Sequence, residues 1–207
     1  MPPLILASAS PRRRELLRQI GVRFHCRPVD LCEALRPRES ARHYVTRLAQ
    51  EKALAGLARE DGAAVVLGAD TCVTMAEQIL TKPVDERDAV AMLMRLSGRR
   101  HRVLTAVALA AKGRVEVCCV GTEVEFIELD EARCRHYWRT GEPRDKAGAY
   151  GIQGLGAVFV KAIEGSYSAV VGLPLMQTAA MLQRFDIPIW QPDGTLTNQL
   201  AEDAEDG

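Results

Sequence analysis

The sequence predicts an α/β protein built on a mixed, twisted sheet. Short apolar runs alternate with stretches of three- and four-residue periodicity, the pattern of strands interleaved with helices. The second half adds a hairpin signal, Lys112-Gly113 between two long β-type runs, so part of the sheet must be antiparallel. With 207 residues and 47% hydrophobic content, the chain fits one compact domain, which would bury roughly 70% of its unfolded surface.

Leu4–Ala7 reads as a short buried strand. Ser10-Pro11 opens a helix, serine at the N-cap and proline at the first helical position; Leu16, Leu17 and Ile20 share a face and Gly21 ends it. A longer helix is expected over 39–60, where Ala41, Tyr44, Val45 and Leu48 recur at helical spacing. Ala63–Ala69 is expected to be a central strand ending at Asp70-Thr71. Asp85 caps a third helix with Met92, Leu93 and Leu96 inward and Gly98 after it. Val103–Ala111 and Val115–Phe126 form the hairpin arms, and Asp130 opens a helix that stops before Gly141. Residues 141–156 read as a glycine-rich, charged loop. Ala157–Ile163 and Ser168–Val171 read as paired strands, and Pro174 starts a last helix to about Phe185. Beyond it, prolines and an acidic ending suggest an ordered wrap followed by a frayed tail.

Lysine plus arginine (27) cancels aspartate plus glutamate (27). That excludes the basic excess of a protein that binds polymeric nucleic acid, but not a small anion held by local cations. None of the six cysteines forms a CxxC, so zinc-ribbon and thioredoxin-like chemistry are unavailable and reduced thiols packed as small hydrophobes are expected. Leu4–Ala9 is too short for a secretory signal, and no run approaches the roughly 18 apolar residues of a membrane span. A cytoplasmic protein with no membrane partner is the expectation.

Several residues admit both a structural and a chemical reading. Arg12-Arg13-Arg14 fall in the first turn of a helix, where each exposed cation opposes the macrodipole by about 0.3–1 kcal/mol. They form either a solvated cluster or an anion site shared with free amides. Lys52 lies on the apolar stripe with Tyr44 and Leu48; it either snorkels to water or faces a phosphate from a cleft wall. Asp70 either caps the turn after its strand, or holds a divalent metal or takes a proton from water. Lys82 is a further cation, Asp85 is first of all an N-cap, and Glu33 says little by itself. Between Asp145 and Gly154, three glycines let backbone approach a ligand, and Gln153 offers a donor and an acceptor to a base edge; a structural Ω-loop is the alternative. The four histidines show no metal-ligand spacing and read as structural or surface residues.

As an ordered set, these segments resemble the Maf family of nucleotide pyrophosphatases, the septum-formation inhibitor proteins. The matching text is Leu6-Ala7-Ser8-Ala9-Ser10-Pro11-Arg12-Arg13, then Tyr44–Ala53, Gly68-Ala69-Asp70-Thr71, Lys82-Pro83 with Asp85, Leu96-Ser97-Gly98, Asp145–Gly154, and Gly165 through Leu175. The likeness covers about residues 4–185 and leaves 186–207 as a C-terminal extension, partly flexible. It implies two lobes around a cleft, inosine-triphosphatase-like, and hydrolysis of a nucleoside triphosphate to monophosphate and pyrophosphate with Mg²⁺ or Mn²⁺. It further implies that Glu33 and Asp70 hold metal, Asp70 activates water, and Arg13, Lys52 and Lys82 clamp phosphates. Ser8, Ser10 and Asp85 are further cleft candidates. Arg12, Thr71 and Gln153 match the branch that acts on dTTP and UTP, with modified pyrimidine nucleotides a further substrate class. A homodimer is common among relatives. The rival class is a nucleotide-binding regulator of septum formation with incidental hydrolysis; carboxylates beside anion-binding cations favour chemistry.

Overall fold

The computed structural model describes residues 1–76 and 78–191. Its sheet contains β1 (Leu4–Leu6), β2 (His25–Cys26), β3 (Val65–Met75), β4 (Gln78–Leu80), β5 (Arg100–Ala111), β6 (Arg114–Phe126) and β7 (Val160–Glu164). The order is β2-β1-β3-β5-β6-β7, with β4 also paired to β3. β1 is parallel to both neighbours, while the long strands β3, β5 and β6 and the edge strand β7 pair antiparallel. The helices are α1 (Pro11–Gln19), α2 (Ala41–Leu57), α3 (Glu86–Leu96), α4 (Glu131–Arg139), α5 (Tyr167–Val171) and α6 (Leu175–Arg184). The mixed α/β class is as the sequence predicts.

Local chemistry accounts for most helix starts. Ser40, Asp85 and Asp130 each accept from a backbone N–H three residues on, at 3.3, 2.8 and 2.7 Å, which satisfies an otherwise orphaned donor. Ser10 stands at the N-cap of α1 but makes no side-chain cap; its own N–H donates to Ser8 Oγ at 3.3 Å.

Side chains alternate across the sheet, and β3 divides them between two apolar layers. Val65, Leu67, Ala69 and Val73 join the main core with Leu16 and Leu17 of α1, Leu93 of α3, Tyr137 of α4 and Leu182 of α6. Cys72, on the other face, packs with Tyr44, Val45, Leu48 and Ala53 of α2. Consecutive residues of β3 therefore serve opposite layers.

Three expectations are corrected. β3 does not end at Asp70-Thr71: β5 pairs with it from Val66 to Thr74, and Thr71, Cys72, Val73 and Thr74 suit a pleated, half-buried surface. Ser168–Val171 is not a strand but most of α5, because the Ser166 side chain accepts from Ala169 N at 3.2 Å and starts a helical turn. Cys32 is exposed rather than packed, whereas Cys72 and Cys134 are buried; all six cysteines are free thiols.

Of the C-terminal wrap, the described residues 187–191 lie against the end of α1, where Trp190 N donates to Ile20 O (2.8 Å) and Gln191 N to Gly21 O (3.1 Å). Gly21, at φ +63°, is needed there twice over, since a Cβ would also run into this returning backbone. The expected frayed tail, 192–207, lies outside the described residues. Among the described residues, no helix is long and apolar enough to cross a membrane.

One edge of β3 is covered along most of its length by β5. On the other, β1 covers Val65–Leu67 and β4 covers Val73–Met75. Residues 68–72 between them have no strand alongside among the described residues. This gap in the sheet positions the site.

Candidate active site

A cleft of about 560 Å³ opens at the gap. Its walls come from the chain after β1, the middle of β3, Thr81 and Lys82 after β4, the segment around Lys146 and Gln153, and Gly172. Because both faces of β3 meet at an uncovered edge, Asp70 and Thr71 can serve one cavity although they point to opposite layers.

On the α2 side, Lys52 lies between two carboxylates. Its Nζ is 2.7 Å from Asp70 Oδ1 and 2.5 Å from Glu33 Oε1. Lys52 and Asp70 are each 7% exposed, so the snorkelling alternative for Lys52 is excluded. Gly68 makes the approach possible, since a Cβ there would collide with Ala49 O and Ala53 N of α2. Tyr44 Oη donates to Glu33 O at 2.9 Å and anchors the irregular segment that carries Glu33.

Burial pushes the Asp70 carboxyl above its ordinary range, although the charges of Lys52 and Arg13 pull the other way. For Glu33 burial also acts upward, but the hydrogen bond and charge of Lys52 outweigh it and the carboxyl lies below its usual range. Burial thus favours a proton on Asp70, while Lys52 holds Glu33 ionised.

On the other face Arg13 is buried among neutral acceptors. Nε donates to Gly172 O (3.0 Å), Nη1 to Ser8 Oγ (3.1 Å) and Nη2 to Thr71 Oγ1 (3.3 Å). Thr105 gives its hydroxyl proton to Ala169 O (2.7 Å), so in the 2.9 Å Thr71–Thr105 pair Thr71 is the donor. The chain of bonds fixes the guanidinium with no carboxylate in contact among the described residues, which leaves its charge for an anion in the cleft.

Gln153 lines the cleft from the loop after α4, and its Nε2 donates to Glu15 Oε2 of α1 at 3.4 Å. Arg12 acts on the same region: burial pushes the Asp145 carboxyl up, but Lys146 and Arg12 together hold it below its usual range.

The cleft therefore gathers Ser8, Ser10, Arg12, Arg13, Glu33, Lys52, Asp70, Thr71, Lys82 and Gln153. Asp85 is corrected: its carboxylate is spent on Asp88 N at the start of α3, and it does not line the cleft. Sequence reasoning missed Tyr44, Thr105 and Gly172. Tyr44 carries the periodicity of a core residue, Gly172 falls inside the matching text Gly165–Leu175 without a role of its own, and Thr105 has no local signal.

Residues 3–185 match the family described as Maf-like protein. The chain belongs to the Maf family. Among curated relatives, dTTP/UTP pyrophosphatases of Saccharophagus degradans and Hahella chejuensis are 52% and 53% identical to this Maf protein, covering 91% and 90% of it and 91% and 94% of their own lengths. A dTTP/UTP pyrophosphatase of Escherichia coli O157:H7 is 51% identical over 90% of this chain and 94% of its own. A solved nucleoside-triphosphatase (dITP/XTP pyrophosphatase) from Mycobacterium abscessus aligns over 88% of this chain and 94% of its own at 17% identity and a TM-score of 0.42.

No group of three or more histidine, cysteine, aspartate or glutamate side chains that could hold a metal occurs among the described residues. Glu33 and Asp70, converging on the Lys52 ammonium, are the pair that suits a hard cation. Mg²⁺ typically takes one or two carboxylates and completes its shell with phosphate oxygens and water, so the donor set fits a metal that enters with a nucleotide.

Proposed function

We propose that this Maf protein hydrolyses dTTP and UTP to the monophosphate and pyrophosphate. The observation that carries the reading is one cleft holding Arg13, Lys52 and Lys82 beside Asp70 and Glu33, in a chain about half identical to proteins named for that activity. Modified pyrimidine triphosphates are within the same chemistry.

The reaction forms a bond from a water oxygen to the α-phosphorus and breaks the bond to the pyrophosphate oxygen. Asp70, raised by burial, takes the proton that the water gives up. Arg13, fixed by Ser8, Thr71 and Gly172, holds phosphate oxygens in line, and Lys52 and Lys82 add charge from the facing wall; positioning and electrostatics carry most of phosphoryl-transfer catalysis. Glu33 and Asp70 would hold Mg²⁺ or Mn²⁺, which would neutralise polyphosphate charge. Arg12, Thr71 and Gln153, all lining the cleft, read the base, and Thr71 also helps to fix Arg13.

The same reading gives a cytoplasmic enzyme, for which the family resemblance suggests a homodimer. The family match ending at residue 185 supports a 1–185 catalytic domain with 186–207 as an extension. The test is incubation of the purified protein with dTTP and Mn²⁺. Stoichiometric pyrophosphate and dTMP are expected; release of inorganic phosphate alone, or no release, overturns the proposal.

A further inference from the structure

A glutamine amide cannot by itself tell uracil or thymine from cytosine. A uracil-type edge presents an N3–H donor beside the O4 acceptor; cytosine presents an N3 acceptor beside an N4–H donor. Turning the amide by half a turn exchanges its own donor and acceptor, so a freely rotating Gln153 would suit either base in the same pose. Discrimination requires that something hold the amide one way round.

Glu15 is placed to do so. A carboxylate accepts and does not donate, so its 3.4 Å contact with Gln153 is favourable only when Nε2 faces Glu15. That leaves Oε1 and the second Nε2–H for the base: an acceptor for N3–H and a donor for O4. The reverse orientation would bring two oxygens together. Glu15 and Arg12 are three residues apart on α1, so both face the same loop.

The backbone under Gln153 is itself tied down. Tyr137 Oη donates to Glu142 Oε1 (2.6 Å) and accepts from Gly151 N (3.0 Å). Glu142 also accepts from Leu155 N (2.8 Å) and Gly156 N (3.0 Å). The amides on both sides of Gln153 therefore end on one tyrosine–carboxylate pair. A Cβ at Gly154 would run into the Glu142 carboxylate, and one at Gly156 into Tyr137 Oη, so the glycines make room for this clamp.

We propose that Glu15 fixes the polarity of the Gln153 amide, on a loop clamped by Tyr137 and Glu142, and that this polarity favours uracil and thymine over cytosine. Glu15, Tyr137 and Glu142 are positioning residues; they act through Gln153. The inference rests on the proposed pyrimidine triphosphate reading of the cleft.

The test compares kcat/KM for dTTP and dCTP in the wild type, Gln153→Ala, Glu15→Gln and Tyr137→Phe. Glu15→Gln keeps size but can donate or accept, so it frees the amide to turn. Its dCTP value should rise while its dTTP value falls, narrowing the ratio about tenfold, the effect of one exchanged hydrogen bond. General damage to the fold would lower both values together. Tyr137→Phe should narrow the ratio less and speed hydrogen exchange at the Gly151 amide. If Gln153→Ala collapses the ratio while Glu15→Gln leaves it at the wild-type value, the Glu15 assignment is overturned and the role of Gln153 stands. If Gln153→Ala leaves the ratio intact, base reading by Gln153 fails and the Glu15 assignment fails with it.

Discussion

The Lys52 end and the Gln153 end of the cleft are made of different material. At the first, Lys52 and Asp70 stand on a helix and a strand, are buried and pair with each other, and the exposed Glu33 and Lys82 join them from irregular segments. At the second, Gln153 is exposed on an irregular loop whose order comes from hydrogen bonds to Tyr137 and Glu142. Polyphosphate is the same in every nucleotide and calls for fixed, strong charges. A base is read by the direction of a few hydrogen bonds, which a loop can present and a neighbour such as Glu15 can orient. A buried pair on rigid elements anchors the common chemistry, and the loop that carries Gln153 adds the choice.

The sharpest way to break this division is Asp70→Asn. The amide keeps an oxygen but cannot take a proton, and loss of a general base typically costs 10²–10⁴-fold. Turnover of dTTP should fall by about that much, with the dTTP-to-dCTP preference little altered. Direct Mn²⁺ titration by paramagnetic resonance separates the two duties of Asp70: retained affinity assigns it to the proton, lost affinity to the metal. Wild-type turnover would remove Asp70 from the mechanism.

How far these ends were legible in the sequence follows from how local their causes are. The helix starts at Asp85 and Asp130 need only neighbouring residues and are read as caps; the cap at Ser40 is as local, but the sequence reading starts that helix at residue 39. Lys52 was visible as an anomaly on an apolar stripe, but its pairing depends on Gly68 and Asp70 of another element, so the stripe alone could not decide between snorkelling and a buried pair. The length of β3 was misread because it is set by β5, which pairs past Asp70 to Thr74. Glu33 was nominated only through family resemblance, since its position depends on a long-range bond from Tyr44. Tyr137 and Glu142 carried no signal, because what they clamp lies ten or more residues further along the chain.

A second test asks whether acid loosens the loop end. His101 is buried under the loop, with Nε2 paired to Tyr150 Oη at 2.8 Å and edge-on contacts to Phe126 and Tyr150. Nδ1 has no hydrogen-bond partner among the described residues, and burial pulls the ring down to about 4. The folded state thus favours neutral His101. Its contribution is fully present above the ordinary pKa near 6.5 and is lost as pH falls through about 4. At 1.36 kcal/mol per pH unit, the loss over that window is about 3 kcal/mol. Urea denaturation at pH 7 and pH 4.5 should show a smaller acid destabilisation in His101→Phe than in the wild type. Equal pH dependence in both proteins would show that the ring is not held neutral.

The smallest effect expected is also the most direct comparison of the two ends, a pair of glycine substitutions. In Gly68→Ala the new methyl meets Ala49 O and Ala53 N, backbone atoms of a packed helix that cannot turn aside. Overpacking of this kind typically costs about 1–3 kcal/mol. It should lower the melting temperature by several degrees and weaken dTTP turnover, because α2 carries Lys52 away from Asp70 as it yields. In Gly154→Ala the methyl meets the end of the Glu142 side chain, which can rotate away. Stability should change less, and the loss should appear as a narrower dTTP-to-dCTP ratio as the loop amides lose their acceptor. Calorimetry and the two-substrate assay on both variants decide it. If Gly68→Ala moves the ratio and Gly154→Ala moves only the melting temperature, the division between a rigid phosphate end and an oriented base end is wrong.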